Sequence, residues 1–181
     1  MARAIMQQKG QKLLSGLVKH ICTLERDIGT KREILMLTGE YLKNGSHDRT
    51  RLVFNFRNIG RTGFEIEKVL RKKYNIQVEM SDFYNIVCIA TVSDSSAEVE
   101  KLAKALEGLT LEFKAETALT DINITEPALP LPGVQLRDIP GYKGKTVRLS
   151  EAADKVSLCM ITPYPPGIPL VCPGEIIDEH L

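Results

Sequence analysis

Two Ser/Thr-x-x-Glu signatures constrain this chain more than any other feature. In "TGFE" (Thr62 to Glu65) and "SSAE" (Ser95 to Glu98) the hydroxyl can accept the amide three residues on, while the glutamate reaches back to the cap's own amide. Each therefore marks a helix start. Before the first lies "RLVFNF" (51–56), which alternates as a strand does. Between them come a helical stretch "FEIEKVLRKKY" with Phe64, Val69 and Leu70 among its apolar positions, a short strand "NIQVEM", a turn "SDFY" and a buried strand "NIVCIAT". The second signature opens "SAEVEKLAKALEGL", with Gly108 as the expected stop. The order β-α-β-β-α predicts an α/β fold of α+β-like small-domain type, a sandwich with a mixed sheet and helices on one face. Arg71, Lys72 and Lys73 close the first of these helices. Cations are favourable at a helix C-terminus, and this reading is preferred to a phosphate site.

The flanks read differently. Leu14, Leu17, Ile21, Leu24 and Ile28 recur at 3-4-3-4 spacing and predict a helix over the first thirty residues. Its stripe either joins the core or packs on something outside the chain. A second helical stretch is expected at 31–42, ending near Gly45. Beyond the second capping box, Pro127, Pro130, Pro132 and Pro140 predict a connector. "RLSEAADKVSLCM" then predicts a short helix capped by Ser150, followed by "PYPPGIPLVCPGE" (163–175). Each proline there fixes φ and biases the preceding residue toward extension. Tyr164, Ile168, Leu170 and Val171 make the segment apolar as well as stiff. It reads as a rigid strap over a hydrophobic patch, with a bend at Gly167, rather than as an exposed polyproline ligand. The organisation expected is a helical segment at 1–45, a β-α-β-β-α domain at 46–110, and a Pro-rich connector with a C-terminal segment at 111–181.

Composition removes several function classes. A net charge of +1 gives no global pull toward nucleic acid or an anionic membrane. No apolar run approaches the ~20 residues of a membrane span. The start has no apolar h-region, so no secretory signal is read. Cys22, Cys88, Cys159 and Cys172 are scattered and form no CxxC or Cys/His cluster, which argues against disulfides and zinc. Cys88 and Cys172 sit in apolar runs, where a thiol behaves as a small hydrophobe. A reducing cytoplasm is the expected compartment. His20, His47 and His180 have no partners at metal or catalytic spacing and read as surface histidines.

Two stretches carry a family resemblance. "TPYPPGIPLVCPGE" (162–175), preceded by "LSEAADKVS", resembles the C-terminal signature of the Orn/Lys/Arg decarboxylases. "DRTRLVFNFRNIGRTGFEIEKVLRKKYNIQVEMSDFYNIVCIAT" (48–91) is similar, in order and spacing, to that family's small domain, with a G-x-T-G helix start, an I-x-V-E strand and a Y-N before the next strand. The resemblance implies a pyridoxal-phosphate-dependent enzyme with an aspartate-aminotransferase-like fold, acting on lysine, arginine or ornithine and working as a homo-oligomer. The family's Ser-x-His-Lys cofactor motif is absent. "GSHD" lacks the lysine, and "VKHI" has the order reversed. The large cofactor domain would precede the first residue, and the family usually continues beyond "PGEIIDEHL". The chain thus resembles a C-terminal portion, with no covalently bound cofactor expected and no activity expected alone.

Of the tasks such an enzyme performs, only recognition of the distal cation falls to this portion. By resemblance Glu79 matches the family's acid after I-x-V, which contacts the distal amine. A partly desolvated carboxylate selects strongly for ammonium or guanidinium. Read without the resemblance, it is an exposed strand-end residue. Asp82 is a second acid or a turn former, and Tyr84 beside Asn85 either shapes the pocket or packs and caps. Tyr164 stands at the pocket mouth or buries its ring, and Glu175 is a salt-bridge partner or a turn residue. Two other readings stay open. In the enzymatic reading a separate chain can supply the cofactor domain; otherwise the chain is a stand-alone module binding a small cationic ligand or a partner, for example a related full-length decarboxylase, or it is a non-functional gene remnant.

Overall fold

The computed structural model describes residues 2–41, 46–113, 118–120, 129–164 and 167–179. The chain forms two compact units, Met1–Asp121 and Ile122–Leu181. The expected stop at Gly45, the proline at 127, the two prolines at 165 and 166, and His180 lie outside the described residues.

The first unit runs α1 (Ala2–Gly29), β1 (Leu35–Met36), β2 (Arg51–Asn55), α2 (Gly63–Lys73), β3 (Met80–Ser81), β4 (Asn85–Ile89) and α3 (Ser96–Glu112). Both capping boxes form: the Thr62 hydroxyl accepts from the Glu65 amide, that of Ser95 from the Ala97 amide, and each glutamate closes back on its cap. The fold class is the one read from the sequence. The sheet has the order β1-β2-β4-β3, and here one detail is corrected. A mixed sheet was expected, but every paired neighbour is antiparallel. The cause is the tight turn after β3. It sends β4 back between β2 and β3, so the two strands joined through α2 run parallel without touching.

Alternation sets which face is covered. Leu52 and Phe54 of β2 pair with Cys88 and Ile86 of β4, and all four are buried. The stripe Leu17, Ile21, Leu24 and Ile28 of α1 is buried in the same cluster, which resolves its two readings in favour of core packing; Leu14 is exposed. α1 packs on α3 and β1, and α2 on β3 and β4.

The second helix expected at 31–42 does not form in the described part. Ile34 and Met36 are buried while Leu35 is exposed, a period of two rather than 3.6. Leu35 and Met36 pair with Asn55 and Phe54, and a 3-10 turn follows at Gly39–Tyr41. Gly108 is not a stop either, since α3 continues to Glu112. A Cβ at Gly108 would lie 2.3 Å from the Tyr74 hydroxyl, so the glycine serves close approach instead.

Among its described residues the second unit has almost no regular structure beyond short 3-10 turns. Isolated antiparallel bridges join Pro132 to Glu175, Val156 to Ile176 and Ile161 to Val171. Its core is Ala152, Val171 and Ile177, with Val147 and Ile161 packed against it. The helix expected over "RLSEAADKVSLCM" reduces to a 3-10 turn, Leu149–Glu151, and Ser150 caps nothing. Asp154 explains the break. Its φ is 62°, in the left-handed region, and its amide is taken by the Ile177 carbonyl.

The described part of the proline segment does not form the buried strap expected of it. Tyr164 is 80% and Ile168 65% exposed, and Leu170 is exposed too, while Val171 is buried and anchors the loop to Ile161. Gly167 bends as expected, at φ 88°, its amide bonding the Pro163 carbonyl. Cys172, Pro173, Gly174 and Glu175 form a tight turn. Gly174 has φ 93°, and the Glu175 amide meets the Cys172 carbonyl at 3.1 Å. Proline then glycine at the two central positions is the type II pattern.

Candidate substrate-side site at the β3–β4 turn

Glu79, Asp82 and Tyr84 sit on one hairpin. Asp82 builds its turn. One carboxylate oxygen accepts the amides of Tyr84 (2.8 Å) and Asn85 (2.7 Å), and the Asn85 side-chain amide reaches both oxygens at 3.0 Å. The Asp82 amide in turn bonds the Asn85 carbonyl at 2.9 Å. This is a short acidic side chain closing its own backbone, the turn-forming role weighed for it above. With both oxygens engaged, Asp82 shapes the site rather than offering a free charge.

The turn is tied to its surroundings by Asn85, named in the sequence, and by Asn55 and Gly63, to which the sequence assigned no part in the site. Asn85 accepts from the Asn55 side chain across the sheet at 2.8 Å, and Asn55 accepts the Arg57 amide at 3.1 Å. Gly63, the first residue of α2, donates its amide to the Phe83 carbonyl. A Cβ there would stand 2.0 Å from the Asn85 carbonyl oxygen and 2.5 Å from that of Asp82. The glycine of "RTG" therefore exists so that the helix can seat on the turn. The sequence signal was present as a glycine inside a capping box, but its cause lies 20 residues away in the chain. Across α2, Glu67 holds both Ser81 and Arg71.

Tyr84 faces the segment that follows α3. Its hydroxyl donates to the Thr120 carbonyl at 2.9 Å, the Arg57 guanidinium lies 5.9 Å from its ring centroid, and Phe83 meets it edge-on. Arg57 bonds Leu119 twice, through its carbonyl to the Leu119 amide and through Nε to the Leu119 carbonyl. The ring is thus half-buried in a clamp on residues 119 and 120.

Glu79 stands apart from this network. Its amide bonds the Val87 carbonyl at 2.8 Å, which fixes the backbone at the start of β3, and its side chain is exposed. No hydrogen bond or ion pair to a described residue engages its carboxylate. The hairpin therefore carries one available carboxylate, one committed to the turn, and one aromatic held beside an arginine.

Elsewhere, Glu175 takes the turn role: its carboxylate accepts the Cys172 amide at 2.6 Å. His20 and His47 are half-buried rather than superficial, and Nδ1 of His20 is buried with no hydrogen-bond partner. Burial pushes the Cys88 thiol up to about 12. The Thr62 amide, first of its contacts, holds the Glu65 carboxyl below its ordinary range, and the Ser95 hydroxyl does the same for Glu98. Among the described residues no group of His, Cys, Asp and Glu is disposed to hold a metal ion, and no helix is long and apolar enough to cross a membrane.

Comparison with known proteins gives these features a lineage. Residues 132–181 match the family described as Orn/Lys/Arg decarboxylase, C-terminal domain. An arginine decarboxylase of Bacillus subtilis is 36% identical over 136 residues, which is 75% of this chain and 28% of that protein. An arginine decarboxylase of Halalkalibacterium halodurans is 34% identical over 149 residues, 82% of this chain and 30% of that protein. The chain thus spans less than a third of the length of these relatives. Among solved structures, a lysine decarboxylase of Francisella novicida shares the fold with a TM-score of 0.65 at 18% identity, covering 94% of this chain and 34% of that one. In sequence and in fold, the chain corresponds to the C-terminal portion of a protein of the Orn/Lys/Arg decarboxylase family.

Proposed function

We propose that this chain is the substrate-side and subunit-contact part of a decarboxylase of basic amino acids, working in the cytoplasm as a homo-oligomer or with a separate chain that carries pyridoxal phosphate. The observation that carries the reading is the collinear match to arginine decarboxylases over three quarters of the chain, 75% in the Bacillus subtilis protein. Lysine, arginine and ornithine share an α-amino acid head and a distal cation, and Glu79 is the available carboxylate on the hairpin. In this reading Glu79 pairs with the distal ammonium or guanidinium, Asp82 holds the turn that presents it, and Tyr84 lines the approach.

Pyridoxal phosphate supplies an electron sink for the carbanion left when carbon dioxide departs. It needs a lysine for its aldehyde, a carboxylate facing its ring nitrogen and donors for its phosphate. The hairpin and the paired surface lysines do not assemble such a set. The carboxylate of the Asp82 turn is filled by amide donors, and Lys31 and Lys73 are paired on the surface with Glu107 and Glu112. In the proposed reading the cofactor is held by another part of the enzyme, and the chain by itself is expected to be inactive.

The test is release of carbon dioxide from arginine, lysine and ornithine in the presence of pyridoxal phosphate. The purified chain should release none. Co-expression with the N-terminal part of a related arginine decarboxylase should restore release, and Glu79→Gln in that complex should raise KM for the amine at least tenfold. Release by the chain alone would sink the proposal. A stand-alone module predicts instead that the isolated chain binds arginine or lysine by calorimetry and that complementation restores nothing.

A further inference from the structure

The second unit contains a groove of about 700 Å³ that none of the hairpin residues lines. Its walls are apolar, with Val147, Leu158, Ile161 and Ile177 among them, and Tyr142 stands at its edge. Three cations, Lys143, Lys145 and Lys155, also line it. No aspartate or glutamate is among its described lining residues; Glu151 and Asp154, on the same stretch of chain, are not part of the wall. Lys155 bonds the Glu151 carbonyl. Lys143 and Lys145 have no ion pair or hydrogen bond with any described residue. Ser157, the one buried polar side chain among the described residues, spends its hydroxyl on the Cys159 carbonyl at 2.6 Å and offers the groove no donor.

An apolar trough with unpaired ammonium groups on its rim is complementary to a small molecule with an apolar body and one anionic end. From this charge complementarity we propose that the groove binds an amphipathic monoanion, an alkyl or aryl carboxylate, with its body between Val147 and Ile177 and its carboxylate on Lys143 and Lys145. The lysine stems add apolar cover while their heads stay at the water boundary.

Cys159, exposed and lining the groove, reports occupancy without a label. The experiment is alkylation of the full chain with iodoacetamide, followed peptide by peptide, with Cys22 of the first unit as internal control. Decanoate, kept below its micelle threshold, should slow alkylation of Cys159 severalfold and leave Cys22 unchanged. Decan-1-ol should protect about tenfold less well at equal concentration, because it lacks the charge-assisted bonds. The Lys143→Gln, Lys145→Gln double variant alters two exposed side chains and should keep the melting temperature while losing decanoate protection. Equal protection by decanoate and decan-1-ol, protection that survives the double variant, slowing of Cys22 alongside Cys159, or no protection at all would each overturn the proposal.

Discussion

Phe54 and Val171 each lie at the bottom of a packed cluster, but the clusters are unlike. Around Phe54, the first unit buries apolar side chains from all its helices and from β1, β2 and β4. Around Val171, the second unit buries Ala152 and Ile177, and leaves Leu129, Leu131, Leu136, Leu149 and Tyr164 exposed. The first unit is ordered by burial. The second is ordered by turn chemistry: a Pro-Gly turn at 173–174, a glycine bend at 167 and a left-handed Asp154. Proline restricts the unfolded chain and so lowers the entropy lost on ordering. That route makes a defined backbone with little interior, and it leaves apolar groups free for other surfaces.

The sharpest way to test this contrast is thiol chemistry. Buried, and with its thiol pushed up to about 12, Cys88 should alkylate at pH 8 far more slowly than the exposed Cys159. Comparable rates, read by mass spectrometry, would mean that the first unit opens freely. Core truncation comes next. Phe54→Ala should cost about 3–5 kcal/mol by denaturant melts, whereas Val171→Ala should cost about 1–2 kcal/mol. Equal costs would erase the distinction between the units.

Glycine substitutions separate the two kinds of order. Gly63→Ala drives a Cβ into the backbone of the Asp82 turn and should cost about 3 kcal/mol. It should also disturb the Asn85 and Tyr84 amide resonances, because helix and turn cannot both keep their places. Gly174→Ala meets a positive φ and the Val134 carbonyl at 2.6 Å, and should cost about 1–3 kcal/mol, confined to the second unit.

The smallest effect is in pH. Glu65 and Glu98 have folded-state values held below 4.5, so their contribution is complete above that value and fades as pH falls through the lower folded ones. The first unit should lose stability on acidification below pH 4.5, and a Glu65→Gln, Glu98→Gln variant, which has no carboxylate to titrate in either box, should lose less between the same two pH values. Parallel pH curves for the two proteins would show that the boxes are not the source.

Much of the first unit was legible because its signals are local. Thr62 and Glu65, or Ser95 and Glu98, lie one helical turn apart, and the 3-4 stripe of α1 is read from five positions in one helix. The stretch at 31–42 misled because its pairing partner, β2, begins only at Arg51, outside the window in which the stretch is read. The candidate site divides in the same way. Asp82 was readable as a turn former, since its partners are two and three residues away. The clamp of Tyr84 on Thr120 was not, since its partner is 36 residues on.

By itself the sequence determined where helices start, where the backbone must bend, and which family signature the C-terminal segment carries. Caps, prolines and glycines act through bonds and φ values within a few residues, so their effect is encoded where they stand. Only the tertiary structure decided that the sheet is antiparallel, that Gly63 and Gly108 are contact glycines, and that Tyr164, Ile168 and Leu170 face solvent while Val171 is buried. Those outcomes depend on which atoms meet across the fold, a property that no short window of residues contains.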